Sequence, residues 1–215
     1  MDKIVIVDEE RRLARRIQPE EEQPAWYAMS APYCRELKAR EALSGFNVEC
    51  WVPMRYEVVK RGRIKQRMLV PVLHNLIFVF DRRSRIDEVK RRIGYLQYRT
   101  MVNEGKNVPI VVPASQMADF RRVCESENDK VRVLLPGSVS LEKGTKVRII
   151  SGEFEGVEGT FVRLAGGRGR RVMVEIPFVA SVVTATISPD FIEIADKDAA
   201  PAAQQQHAGL PEQNR

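Results

Sequence analysis

Four glycines constrain this chain more than any other feature: Gly144, Gly152, Gly156 and Gly159 punctuate residues 144–162. Between them stand Val147, Ile149 and Val157, and Phe161 follows the last. Each glycine in a helix interior costs about 1 kcal/mol relative to alanine, and β-branched residues prefer strands. The run therefore reads as strand, turn and strand, with glycine supplying tight turns and close backbone approach. Short apolar segments recur at 146–150, 157–164, 170–176, 181–186 and 191–194. Such spacing predicts a small β-barrel over residues 141–195, stable as strands and not as helices. Gly166-Gly167-Arg168-Gly169 is a flexible basic hairpin tip. It is no phosphate-binding loop, because neither a Lys-Ser/Thr pair nor a helix follows it.

Residues 24–127 read as a separate module of the α+β class, an antiparallel sheet with three helices packed on it. Trp26 to Ser30 is an aromatic first strand. Pro32 precedes a helix whose Ala39, Ala42, Leu43 and Phe46 share one face. Val48 to Val59 and Ile64 to Val72 read as a long hairpin around the turn Lys60-Arg61-Gly62-Arg63. Asn75 to Phe80 is a continuous apolar run, as expected of a central strand. A second helix starts at Ser84, buries Ile86, Val89 and Ile93, and stops at Gly94. Tyr95–Val102 and Val108–Val112 read as strands. Pro113 leads into a third helix, where Met117, Phe120, Val123 and Cys124 share a face. Residues 1–23 are a charged extension, 128–140 a linker with its own short strand, and 196–215 a disordered tail.

Net charge narrows the partners. The chain carries +6, and residues 24–195 alone carry +9 because both ends are weakly acidic. A basic body favours nucleic acid or an acidic protein surface. Cys34, Cys50 and Cys124 are too widely spaced for a zinc site with only His74 and His207 to join them. Free thiols in a reducing cytoplasm are the simpler expectation. No apolar run is long enough to span a membrane. Glu153, Glu155 and Glu158 lack a histidine or metal partner, and Asp119 and Cys124 on one helix lack a base for the thiol. The expectation is a monomeric binding protein, not an enzyme, with no cofactor and no metal.

The glycine-spaced run resembles the KOW motif, which ribosomal proteins and NusG-type transcription elongation factors both carry. Trp26-Tyr27 opening a strand, the helix after it, the Val52-Pro53 strand, the basic hairpin and the apolar central strand follow the order of the NusG amino-terminal domain. The chain thus resembles a NusG-family protein over residues 24–195. Housekeeping members carry Phe-Pro-Gly-Tyr before the central strand, where this chain has Leu73-His74-Asn75-Leu76. That departure points to a specialised paralogue, nearest to the UpxY-like antiterminators of Bacteroides-type polysaccharide operons.

The resemblance implies that the first module grips a coiled coil of the RNA polymerase clamp through Trp26, Tyr27, Leu73, Leu76 and Phe78. It implies reduced pausing or termination, on a long operon such as one for capsular polysaccharide. It also implies that Phe154, Ile176 and Phe178 of the KOW module recruit either Rho or a small-subunit ribosomal protein. On the hairpin, Lys60, Arg61, Arg63, Lys65 and Arg67 are candidate contacts to upstream or non-template DNA. Arg61, Arg63, Lys65 and Arg67 stand two apart, as a row on one strand face would. An edge strand charged against aggregation is the plainer reading of that row. Ordinary sheet core is the plainer reading of Trp26 and Phe78. A ribosome-associated RNA-binding protein is the alternative for the whole chain.

Overall fold

The computed structural model describes residues 23–62, 64–126, 128, 130–134, 141–164 and 169–195. The readings of the charged extension, Arg63, most of the linker, residues 166–168 and the tail lie outside them.

The first module is built on strands β1 (Ala25–Ser30), β2 (Glu49–Trp51), β5 (Ile77–Asp81), β6 (Gln97–Tyr98) and β9 (Val111–Val112). They form one sheet in the order β2-β5-β1-β6, with β9 also paired to β1. β1 and β5 run antiparallel, with Trp26 opposite Phe80 and Ala28 opposite Phe78. Successive side chains on a strand point to opposite faces, and both faces here are covered. Tyr27, Met29, Ile77 and Val79 pack under helices α1 (Glu36–Gly45) and α2 (Arg83–Ile93), against Ala39, Leu43, Ile86 and Val89. Trp26, Ala28 and Phe78 face α3 (Ala114–Cys124), against Met117, Phe120 and Val123. This is the expected helix-on-sheet arrangement, with three helices divided between the two faces.

Two long strands of the sequence reading are broken in the fold. Val48–Val59 splits at Val52-Pro53, where proline has no N–H for a ladder and the Pro53 carbonyl accepts from Val72 N–H at 2.8 Å. Beyond the break the chain leaves the sheet as a separate hairpin, β3 (Met54–Arg61) and β4 (Ile64–Pro71). Tyr95–Val102 splits at Arg99, whose N–H donates to the Ala28 carbonyl at 2.9 Å while its carbonyl accepts from Ile110 N–H at 2.9 Å. A second small hairpin, β7 (Thr100–Asn103) and β8 (Lys106–Pro109), grows from that point. Its turn residues Glu104 and Gly105 both have positive φ, 50° and 76°, as a two-residue hairpin turn requires.

The basic hairpin is also longer than expected. Lys60 and Arg61 belong to β3 and pair with Lys65 and Ile64. Gly62, at φ 63°, lets the chain reverse within two residues, so the ladder continues through both.

The second module is a six-stranded antiparallel sheet. Its order is β10 (Arg132–Leu134), β14 (Ala180–Val183), β13 (Arg170–Ile176), β12 (Glu158–Leu164), β11 (Leu141–Ile149) and β15 (Ile192–Ile194). The described pairings form a path with two ends, and no pairing between β10 and β15 is among them. The short strand expected in the linker is β10, hydrogen-bonded to β14 within this sheet. The four glycines divide into two roles. Gly152 and Gly156 have positive φ in the turn before β12. Gly144 and Gly159 sit where a Cβ would strike the neighbouring backbone.

The cysteines stand far apart in accessibility. Cys34 is exposed, Cys50 is half-buried and Cys124 is buried. Burial pushes the Cys50 thiol up to about 11 and the Cys124 thiol up as well. The thiolate is the reactive form. The native chain is therefore expected to show one rapidly reacting thiol near neutral pH, and all three after unfolding. Ellman titration with and without denaturant measures this. Rapid labelling of Cys124 in the native chain would contradict the burial.

Candidate functional site

α3 is the element on which the two modules meet. Its inner face closes the first sheet, and its outer face lies on β13 and β14. One continuous apolar cluster results, running from Trp26, Leu73, Leu76 and Phe78 through Phe120 to Phe154, Val172, Val174 and Ile176. Phe120 stacks obliquely on Phe78, with ring centroids 6.0 Å apart, and edge-on to Trp51 at 6.1 Å.

Polar contacts close the seam. Gln116 Nε2 donates to the Glu175 carbonyl, and Arg122 donates to the carbonyls of Glu155 and Glu153. Glu158 N–H donates to Asp119 Oδ2 at 3.3 Å. Ser126 and Asn128 both donate to the Glu153 carboxylate. The acids that sequence reading set aside as non-catalytic thus hold the modules together: Glu153 and Asp119 across the seam, while Glu158 pairs with Arg148. Among the described residues no group of three His, Cys, Asp or Glu side chains gathers as a metal site.

Burial holds the Asp119 carboxyl above the usual carboxylate range, opposed by the Glu158 N–H and reinforced by the Glu158 charge. Ionising Asp119 therefore costs more in the folded chain than in the unfolded one. That cost is absent below about pH 4, where both states are protonated, and grows as pH rises through the raised folded value. Asp119→Asn keeps an oxygen acceptor for Glu158 N–H. It is expected to raise the urea midpoint at neutral pH and to leave it unchanged near pH 3. Equal midpoints for both proteins at neutral pH would refute this.

The five residues assigned to the polymerase-binding face are all buried: Trp26, Tyr27, Leu73, Leu76 and Phe78. Four belong to the cluster around α3, but Tyr27 lies on the opposite side of the sheet under α1 and α2. The guanidinium of Arg121 on α3 stands 5.8 Å from the Trp26 ring centroid and 5.7 Å from that of Trp51.

The Leu73–Leu76 segment has a support that sequence reading missed. Glu36, the first residue of α1, is almost fully buried. Its Oε2 accepts Asn75 N–H at 3.1 Å and its Oε1 lies 3.1 Å from His74 Nδ1. Asn75, at φ 61°, accepts Cys34 N–H on its side-chain oxygen at 2.9 Å. A non-glycine residue at positive φ is costly unless its surroundings fix it, and these bonds do so. An acid in the first turn of a helix was the available signal, but it is common there for dipole reasons alone.

Of the second-module positions, Phe154 and Ile176 are buried in the shared cluster, whereas Phe178 is 41% exposed at φ 63°. On the basic hairpin, Lys60, Lys65 and Arg67 are exposed. In the backbone ladder Lys60 stands opposite Lys65 and Arg61 opposite Ile64. The basic residues of α2 are laced with ion pairs: Arg83 with Asp87, and Arg85 and Arg92 with Glu88. This is a solvated helix face.

A sheet covered by helices on both faces is thus joined through one helix to a second antiparallel sheet, giving a two-module build. Residues 24–121 match the family model described as "Transcription termination factor nusG". The match spans the first sheet and most of α3, a little under half of the chain, and stops before the second sheet. Among solved structures, the one described as "Domain interaction in Thermotoga maritima NusG" aligns with 82% of this chain and 100% of its own, at 19% identity and a TM-score of 0.41. No curated protein matches the chain. Among the described residues no helix is long and apolar enough to cross a membrane.

Proposed function

We propose that this chain is a NusG-family transcription factor that binds RNA polymerase through its first module, reduces pausing or termination, and recruits a further factor through its second. The observation that carries this reading is the family match over residues 24–121. The specialised role on a long operon, such as one for capsular polysaccharide, rests on the departure of Leu73-His74-Asn75-Leu76 from the Phe-Pro-Gly-Tyr of housekeeping members and belongs to the proposal alone. So do the KOW nature of the second sheet and the choice of Rho or a small-subunit ribosomal protein as its partner.

The burial of Trp26, Leu73, Leu76 and Phe78 adds one element. In the arrangement described, α3 and the second sheet close over the cluster that holds these residues, and Phe154 and Ile176 are enclosed with them. Trp26, Leu73, Leu76 and Phe78 are thereby withheld together with Phe154 and Ile176, while Phe178 stays exposed, so polymerase binding competes with the seam. Testing Trp26 or Leu76 by truncation confounds binding with a core loss of about 2–5 kcal/mol. Loosening the seam avoids that. Purified protein and bacterial core RNA polymerase are expected to form a complex on size-exclusion chromatography. Gln116→Ala with Arg122→Ala is expected to raise its affinity about fivefold or more. Absence of any complex would overturn the polymerase assignment. A complex of unchanged affinity would overturn only the competition.

A further inference from the structure

The second sheet ends on β15, which pairs with β11 on one side and, among the described residues, with no strand on the other. In an antiparallel ladder the backbone groups of successive residues alternate between the two neighbours. Ala195 N–H donates to the Lys146 carbonyl at 3.1 Å, and the Phe191 carbonyl accepts Ile150 N–H at 2.9 Å. The N–H and carbonyl of Ile194 therefore turn to the open side. Such an edge is a template for a further strand. β15, Ile192-Glu193-Ile194, has neither the lysine nor the proline that blunts many exposed edges. Both sides of this edge are also apolar and bare. Ile194 stands opposite Val147 and Ile192 opposite Ile149, so the two extend the inner face of the sheet. Val147 and Ile149 are buried, yet Ile194 is 67% exposed. On the other side, just past the strand ends, Ile150 is 47% exposed and Phe191 43%. β10, at the far end of the sheet, differs: it opens with Arg132, and its Val133 and Leu134 are half-buried.

We propose that Ile4-Val5-Ile6-Val7 of the same chain adds to the open edge of β15 as a seventh strand of this sheet. An edge bare on both sides calls for a strand that is apolar on both sides. Alternation puts Ile4 and Ile6 on one side and Val5 and Val7 on the other. All four are β-branched, the class that strands favour. The remaining residues outside the described ones offer no such run. Residues 135–140 contain Pro136 and Gly137, and residues 196–215 contain no β-branched residue. The segment has the reach. Residues 8–24 lie between it and β1 and span roughly 55–60 Å when extended. A body of this size is about 40 Å across. The strap runs from the first strand of the first module to the last strand of the second. It ties the modules together independently of residues 125–131 and of the α3 seam, whether or not the chain binds polymerase.

Amide hydrogen exchange of the full chain, followed residue by residue by NMR, tests the strap without polymerase. The parent is compared with a chain carrying Ile4→Asp and Ile6→Asp, two changes outside both modules. In the parent, the Ile194 amide and the amides of residues 4–7 are expected to be protected. In the variant both sets should exchange about tenfold faster or more, while the Glu193 amide, which faces β11, keeps its rate. Ile194→Asp, at a position already exposed, should release residues 4–7 to the same degree and leave the other strands as they were. A synthetic peptide of residues 1–10, added to the Ile4→Asp/Ile6→Asp chain, should restore protection at Ile194. Exchange at residues 4–7 of the parent as fast as in that free peptide overturns the proposal. So does a variant that loses protection at residues 132–134 or 49–51 instead of at Ile194. Protection that is lost on dilution, with a dimer on size-exclusion chromatography, puts a second copy's segment on the edge and overturns it as well.

Discussion

Gly159→Val is expected to unfold the second module at temperatures where the parent is native. A Cβ at this position would stand 2.4 Å from the Met173 carbonyl oxygen, 2.7 Å from Val172 Cγ1 and 3.0 Å from the Met173 carbonyl carbon. The first and third are backbone atoms of β13, held by the ladder that pairs Thr160 with Met173, and cannot swing away as a side-chain tip does. Overpacking of this kind costs about 1–3 kcal/mol, and more where the backbone must move. Against a total stability of about 5–15 kcal/mol, that removes a large fraction. Gly152→Ala is the control. It meets nothing within 4 Å but has φ +94°, so its cost is conformational, about 1–2 kcal/mol. Circular dichroism melts of the three proteins should rank parent, Gly152→Ala and Gly159→Val in falling stability. A Gly159→Val chain that melts with the parent would mean that β12 and β13 are not packed as described.

Phe120→Ala carries the second large effect, about 3–5 kcal/mol. The ring is fully buried and touches both Phe78 and Trp51. Its helix is a wall of both cores, so the loss reaches both sheets. One cooperative transition is expected to shift in urea, followed equally by the tryptophans of the first module and by the far-ultraviolet strand signal. A shift confined to the tryptophan signal would show that the second sheet does not depend on α3. A loss below about 1 kcal/mol would show that the site collapses around the missing ring.

Much of this architecture is legible in the chain. Strand positions, the helix stripes of Ile86 and Val89 and of Met117, Phe120 and Val123, and the glycine-bounded second sheet follow from periodicity and turn chemistry. What periodicity does not carry is which face belongs to which helix. β1 is apolar on both sides, so Trp26 and Tyr27 read as one patch although they project to opposite cores. The breaks at Arg99 and Ile110 depend on hydrogen bonds to Ala28, distant in sequence. Arg61 pairs with Ile64 in the ladder, where the sequence reading placed it in the turn. Glu36 was invisible as a support because its partners, His74 and Asn75, are set by tertiary packing alone. The burial of Trp26, Leu73, Leu76 and Phe78 likewise comes from α3 and from a sheet beyond the linker, which no local pattern records.

The anchoring of β10 to β14 limits how far the modules can part. With Arg132–Leu134 fixed in the second sheet and α3 ending at Cys124, a stretch of seven residues, 125–131, joins them. Fully extended it spans at most about 25 Å. A module on so short a leash faces its former seat at an effective concentration in the millimolar range. Reclosure is therefore a unimolecular event that outpaces encounter with dilute proteins. Any partner of the α3 seam must overcome that local concentration, so a partner already held nearby on the same large assembly has the advantage over one arriving from solution.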